Sequence, residues 1–538
     1  MAIGSRGDRL SRRNQAPGRA VDPSDNVIGL SCRPSENFPD IGGRMQDIVE
    51  KTALEIRSLI RSKALSPIEV FDAFRARIEA ANPAINAFVT VDFERSRAEA
   101  KRAEDAVMKG ETLGIVHGLP VGIKDLQLTA GMRTTFGSLV HKDNVPTEDE
   151  LMVKRLRAAG AVIMGKTNTP EFGSGANTTN RVHGATVNPF DLALSTAGSS
   201  GGSAAALAAD MVPLASGSDL GGSLRTPASF CGIVGHRPSP GACPMEVAGD
   251  PWSPLAVDGP MARNVPDAAL LMAAIVGRSS RDPLSQDLSA DAFLALPEVD
   301  TRRLRIAFSE DLGCAPVSRG VRQHFRMVAE RMAGMFGSTE WSHPEIRDLD
   351  DTFEALRAVG YGHSYGDYID QHRALSGANV VSNVELSRRL SLEDVGRAHA
   401  RQSEIFRSFE TFFREIDILI CPAASVVPFP VENLYVKEVD GRQMETYIRW
   451  VGIAYAITLS SHPATVIPAG LGPTRMPFGL QIVGRGRDDV GTLAAAAAIE
   501  ARLARDGVLA RPLPDVSMLT TPGIATSAGN IPDALAAH

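Results

Sequence analysis

Cysteine is scarce in this chain: five in 538 residues, Cys32, Cys231, Cys243, Cys314 and Cys421, with no CxxC pair among them. An odd number at wide spacing excludes a disulfide scaffold and a cysteine-based zinc site, and implies reduced thiols in a cytoplasmic protein. Long apolar runs are missing too. Asp210 and Pro213 interrupt the best candidate for a membrane span, so no membrane association is expected. No basic tract lies within the folded part and the net charge is −7, which argues against a nucleic-acid partner. Arg12-Arg13 is followed by no apolar h-region and is not an export signal. Without such a signal, the sequon Asn177-Thr178-Thr179 carries no meaning. No metal-ligand cluster and no internal repeat is visible.

What remains has the ordinary apolar and charged fractions of a globular protein. Residues 1–44, rich in Arg, Ser, Pro, Gly and Asn, read as a disordered extension. Helical patterning starts near Met45. Ser66-Pro67 then caps a second helix that carries Val70, Phe71, Phe74 and Ile78 on one face. Farther on, helices and strands alternate. Strands are expected at 121–124, 160–165, 304–308, 416–422, 464–468 and 479–483. Helices are expected at 150–159, 203–211, 265–276 and 493–503. Residues 238–260 read as coil and 319–413 as mostly helical. Such alternation implies an α/β layer structure.

The chemistry concentrates between 196 and 225. Two glycine-serine turns, Gly198-Ser199-Ser200-Gly201-Gly202 and Gly217-Ser218-Asp219-Leu220-Gly221-Gly222-Ser223, bracket an alanine-rich helix. Leu220, Gly221, Gly222 and Ser223 offer successive N–H groups around one hydroxyl, the raw material of an oxyanion hole. Most such turns only cap helices, but upstream the apolar stretch at 118–124 ends in Lys124.

Two patterns mislead. GAVIMGKT at 160–167 matches the phosphate-loop spelling, yet its middle residues read as a strand and Asn168-Thr169-Pro170 discourages the helix that must follow. GSSGG at 198–202 spells a nucleophile elbow with Ser200 as nucleophile, but that fold needs a strand directly before the serine, and 190–197 is a poor strand. His236, His363, His399 and His462 are available as bases; none has a telling context, and each reads as structural.

Taken in order, GLPVGIKD (118–125), GKTNTPEFG (165–173), NPF (188–190), GSSGG (198–202), SDLGGSLRTPASFCGIVG (218–235) and PFGLQIVGR (477–485) resemble the amidase signature family of serine amidohydrolases. The resemblance covers roughly residues 45–514. It implies a central mixed, twisted β-sheet covered by helices on both faces. It also implies one amidase domain over 45–516: an N-terminal helical region (45–110), a catalytic core (118–260) and a helical substrate-side insertion (315–415). Residues 517–538 form a tail.

Carried over position by position, the resemblance makes Ser223 the nucleophile and Lys124 the base. Ser199 bridges the two and follows a cis peptide bond. Leu220, Gly221, Gly222 and Ser223 supply the oxyanion N–H groups. Ser200, Asp219 and Arg225 support the constellation, while Gly173, Ser174 and Gly175 face substrate. Neither metal nor cofactor is implied. The expected partners are a small-molecule amide and a second copy of the chain in a homodimer. The substrate stays open: an amide, or a carbamate, ester or aryl acylamide on the same site, or glutamine in a tRNA-dependent amidotransferase. Two departures from the family pattern stand out, Ala197 in place of glycine and Arg181-Val182-His183 after Asn180; the second is expected at the substrate entrance. Tyr361, Tyr365, Tyr368 and Trp450 are candidates for the acyl pocket and equally for the core.

Overall fold

Eleven strands form one mixed sheet. In chain order they are β1 (Phe88–Val91), β2 (Pro120–Lys124), β3 (Val162–Thr167), β4 (Leu214–Asp219), β5 (Val234–Arg237), β6 (Val257–Ala262), β7 (Arg305–Phe308), β8 (Ser338–Trp341), β9 (Ile418–Pro422), β10 (Ala464–Leu471) and β11 (Pro477–Val483). Their order across the sheet is β1-β3-β2-β4-β6-β5-β10-β11-β9-β7-β8. The trios β3-β2-β4 and β9-β7-β8 are parallel; the remaining pairings are antiparallel. The computed structural model describes residues 41–246, 250–520 and 529–531, with side chains from residue 45. Residues 45–520 pack around one main core.

Apart from half-buried Ser218, the central strands are buried along their length, as strands flanked by others and covered on both faces must be. Helices Gly201–Ala208, Arg225–Cys231, Val265–Ile275 and Asp489–Leu503 pack directly on the sheet. Helix Pro67–Ile85 opens on a capping box formed by Ser66 and Glu69 and buries Val70, Phe71, Phe74 and Ile78.

Several expectations need correction. The helical region before residue 110 contributes β1, which pairs with β3. The stretch read as coil ends in β6, and the mostly helical stretch contains the exposed edge strand β8. Residues 217–219 belong to β4 rather than to a turn; the turn proper is 220–223. β4 reads LASGSD, without β-branched or aromatic residues, so nothing local announced a strand. It forms because β2 and β6 satisfy its backbone on both sides. Its small residues are required there: a Cβ on Gly217 would lie 2.5 Å from Leu224 Cδ2 and 3.0 Å from Ser200 Oγ. The alanine-rich helix spans Gly201–Ala208 and starts two residues earlier than expected. Asp191–Ser195 is a strand after all, paired with Val187–Asn188 in a hairpin outside the main sheet. The extension expected over 1–44 lies outside the described residues except for the start of helix Ile41–Glu50. Most of the tail beyond Thr520 lies outside them as well.

Candidate active site

β2 ends on Lys124, and everything in the site is placed by that end of the sheet. The side chain is fully buried. Its Nζ donates to Ser199 Oγ at 2.8 Å, Ser200 Oγ at 2.8 Å and Ser218 Oγ at 2.9 Å. The sequence pointed to one serine at the lysine; β4 adds a second source of hydroxyls. Ser216, on the same face of β4 as Ser218, accepts the Lys124 N–H at 3.0 Å and donates to Gln127 Oε1. Gln127 in turn donates to Asp258 Oδ1 at 3.2 Å. Burial pushes the Lys124 ammonium down to about 7, against the opposing pull of Asp258 and Asp219.

Ser199 and Ser200 precede the helix Gly201–Ala208, and the Gly198–Ser199 peptide is cis. Ala197, where the family pattern has glycine, is left-handed at φ 57° and held by Ser195 Oγ on its N–H and Thr178 Oγ1 on its carbonyl. Ser223 lies in the turn between β4 and helix Arg225–Cys231 and is partly exposed. Together with Ser199 and Ser218 it lines a cavity of about 540 Å³; Lys124 sits behind the serines.

Asp219 organises the turn. Its carboxylate accepts from the N–H groups of Gly222 and Leu224 and from the guanidinium groups of Arg225 and Arg237. Burial alone would raise this carboxyl, but Arg225 and Arg237 outweigh it and hold it well below the ordinary value. Among the described residues the N–H groups of Leu220, Gly221 and Ser223 have no protein acceptor, whereas that of Gly222 is taken.

Gly173 lines the cavity at φ +70°, a backbone suited to glycine, and a Cβ there would lie 3.4 Å from Ser199 Oγ. Ser174 points elsewhere, sharing a 2.7 Å hydrogen bond with Tyr361 OH and lining, with Gly175, a separate hollow of about 740 Å³. Arg181 lines that second hollow and not the Ser223 cavity. Tyr361 and Tyr365 of helix Leu349–His372 line the Ser223 cavity; Tyr368 packs behind them against His141, and Trp450 is core against Phe230 and Phe429.

The misleading patterns resolve physically. GKT at 165–167 is the end of β3, and Lys166 Nζ is buried against Gln127 O and Thr129 Oγ1. Ser200 is fully buried and off the cavity wall. His236 and His462 are core, bonded to Thr465 and to Ser460 O. The histidine that does reach the cavity is His141, which no sequence pattern singles out. Arg357, Asp258 and Glu150 were missed likewise: each comes from a different element, and no local pattern marks them. No group of three or more His, Cys, Asp or Glu among the described residues is placed to hold a metal ion. No helix among them is long and apolar enough to cross a membrane.

Comparisons with known proteins establish the family. The family model described as Amidase matches residues 69–493. An acylamidase of Rhodococcus erythropolis is 34% identical over 461 residues, covering 84% of this chain and 95% of the relative. A glutamyl-tRNA(Gln) amidotransferase subunit of Acidothermus cellulolyticus is 33% identical over 470 residues, covering 82% and 92%. Among solved structures, a bacterial aryl acylamidase of the amidase signature family superposes with a TM-score of 0.79 at 27% identity, covering 84% of this chain and 96% of that one. With the sheet, the buried lysine among serines and these matches in hand, the chain belongs to the amidase signature family and is an amidohydrolase acting on amide C–N bonds.

Proposed function

We propose that the protein hydrolyses a small carboxylic amide to a carboxylate plus ammonia or an amine, with Ser223 as nucleophile, Ser199 as proton carrier and Lys124 as base. One observation carries the reading: Lys124 Nζ touches Ser199 Oγ at 2.8 Å in a place where burial brings the ammonium to about 7. With the ammonium brought near neutrality, the neutral amine that accepts a proton is within reach at physiological pH. Ser223 Oγ attacks the carbonyl carbon as its proton passes through Ser199 to Lys124. The C–N bond breaks as that proton returns to the leaving nitrogen, and water then releases the acyl group by the same route in reverse. The oxyanion is stabilised by the amides of Leu220, Gly221 and Ser223, which have no other acceptor among the described residues. The N–H of Gly222 instead fixes the turn through Asp219.

The test is Ser223→Ala, which should remain folded and lose roughly 10⁴-fold or more in turnover. A fluorophosphonate probe should label Ser223 and leave Ser200 untouched; labelling of Ser200 would revive the nucleophile-elbow reading.

A second reading has support in the relatives: a glutaminase component of a tRNA-dependent amidotransferase, since the amidotransferase relative is nearly as similar as the acylamidase. Full hydrolase activity from a lone chain or homodimer on gel filtration would decide against it. Rates on matched amide, ester and carbamate substrates separate the remaining alternatives. The described cysteines are free, which fits a reducing, cytoplasmic setting.

A further inference from the structure

We propose that Arg357 is the anion anchor of this pocket, and that the amide it takes carries a carboxylate on its acyl side, as in the short monoamides of dicarboxylic acids. The inference rests on the amidase reading for the place of the scissile carbonyl.

Arg357 lies on helix Leu349–His372 and is 4% exposed. It lines the 540 Å³ cavity and also a hollow of about 30 Å³ beside it, whose wall includes Ser223, Leu220 and Gly221. Its guanidinium donates to Asn383 Oδ1 at 2.6 Å, to Tyr447 OH, and to Tyr361 OH at 3.4 Å. The rings of Tyr361 and Tyr447 lie 4.7 and 5.0 Å from its central carbon. None of these partners is a carboxylate. Burial pushes the Tyr447 phenol above its ordinary value, so it supplies no counter-ion. Among the described residues no carboxylate lies within ion-pair distance of Arg357.

The other buried arginines near the site differ. Arg225 and Arg237 share Asp219. A guanidinium keeps its charge, and a buried charge without an opposite one is unfavourable. A carboxylate arriving with the substrate matches the fork of N–H donors in geometry as well as charge. Glu150 and Asp258, both buried, line the large cavity but not the small hollow at Arg357, and burial pushes both carboxyls up, Asp258 to about 6. The carboxylate sits at the Arg357 end, and the departing amine faces the rest of the cavity. Because Arg357 and Ser223 border one small hollow, the carboxylate and the scissile carbonyl are separated by few bonds, and the acyl chain is short.

The experiment has a binding arm and a turnover arm. The Ser223→Ala protein is titrated calorimetrically with succinamate and glutaramate, and with the neutral amides of equal chain length, butyramide and valeramide. The acids should bind roughly 10- to 100-fold more tightly, the usual worth of a charge-assisted hydrogen-bond pair. Arg357→Gln in the same background should erase the difference, and Arg357→Lys should keep part of it. In the wild type, kcat/KM should favour the carboxylate amides, chiefly through KM. Equal binding of acid and neutral amide by the Ser223→Ala protein overturns the proposal, without reference to whether any Arg357 variant folds. Ser223-dependent hydrolysis with no preference for the acids overturns it too, and leaves the amidase reading standing. Tight, Arg357-dependent binding of carboxylate amides that are never hydrolysed upholds the anchor and removes the reaction.

Discussion

The carboxylate of Asp219 takes the N–H of Gly222 at 2.9 Å, so one of the four amides that the motif offers to an oxyanion is already engaged. The same carboxylate also neutralises Arg225 and Arg237, both fully buried. Asp219→Ala should therefore cost about 3–5 kcal/mol of stability, the usual penalty for leaving buried charges unpaired. Urea denaturation of the wild type and the variant measures it. The Asp219 carboxyl is held below its unfolded value, so its contribution is complete above about pH 3.9 and fades as pH falls toward the folded value. A variant as stable as the wild type would mean that water enters the turn.

Lys124 gives a pH prediction. With the buried ammonium pushed down to about 7, kcat/KM should be low in acid, rise through an apparent pKa near 7 and level off above it. Lys124→Arg should abolish most of the activity, since arginine keeps its proton. Lys166 is the control: equally buried, it bonds Gln127 O and Thr129 Oγ1 rather than a serine on the cavity. Lys166→Met should lower the melting temperature while the folded fraction still reacts with a fluorophosphonate. Retention of activity in Lys124→Arg would move the base to a histidine, with His141, the one on the cavity wall, first in line.

Gly173 tests the approach to Ser199. Its φ of +70° disfavours any L-residue by roughly 1–2 kcal/mol. A methyl there would also stand 3.1 Å from Leu126 Cδ1 and 3.4 Å from Ser199 Oγ. Gly173→Ala should fold, melt a few degrees lower through its strained backbone and its crowding of Leu126, and lose less than about 10-fold in kcat, because 3.4 Å from Ser199 Oγ is ordinary contact. Steady-state kinetics beside a melting curve separates the two effects; an unchanged kcat would show that this segment yields freely.

Much of the site was legible because it is local. GSSGG, GGS and the lysine closing a short apolar strand are contiguous spellings, and their order along the chain carried the family. The major helices were legible for the same reason: capping boxes and apolar stripes are set by residues three or four apart. β4 was not. Leucine followed by Ala, Ser, Gly, Ser and Asp has little intrinsic preference for a strand, and the extended form is imposed by hydrogen bonding to β2 and β6, one nearly a hundred residues upstream and the other some forty downstream.

The sequence by itself determined the groups proposed to react, the glycine turn that holds Ser223 and the family. Each depends on the chemistry of neighbours in the chain. Only the tertiary structure decided what surrounds those groups. It brought Ser216 and Ser218 beside Lys124, set Asp219 between two arginines, and put Arg357 and the pair Glu150 and Asp258 on the wall of one cavity. Charge, burial and shape at a site are properties of groups that meet across the fold, and the field they create falls off with distance in space rather than along the chain. The lysine was readable from its strand, whereas the environment that pushes it down to about 7 was not.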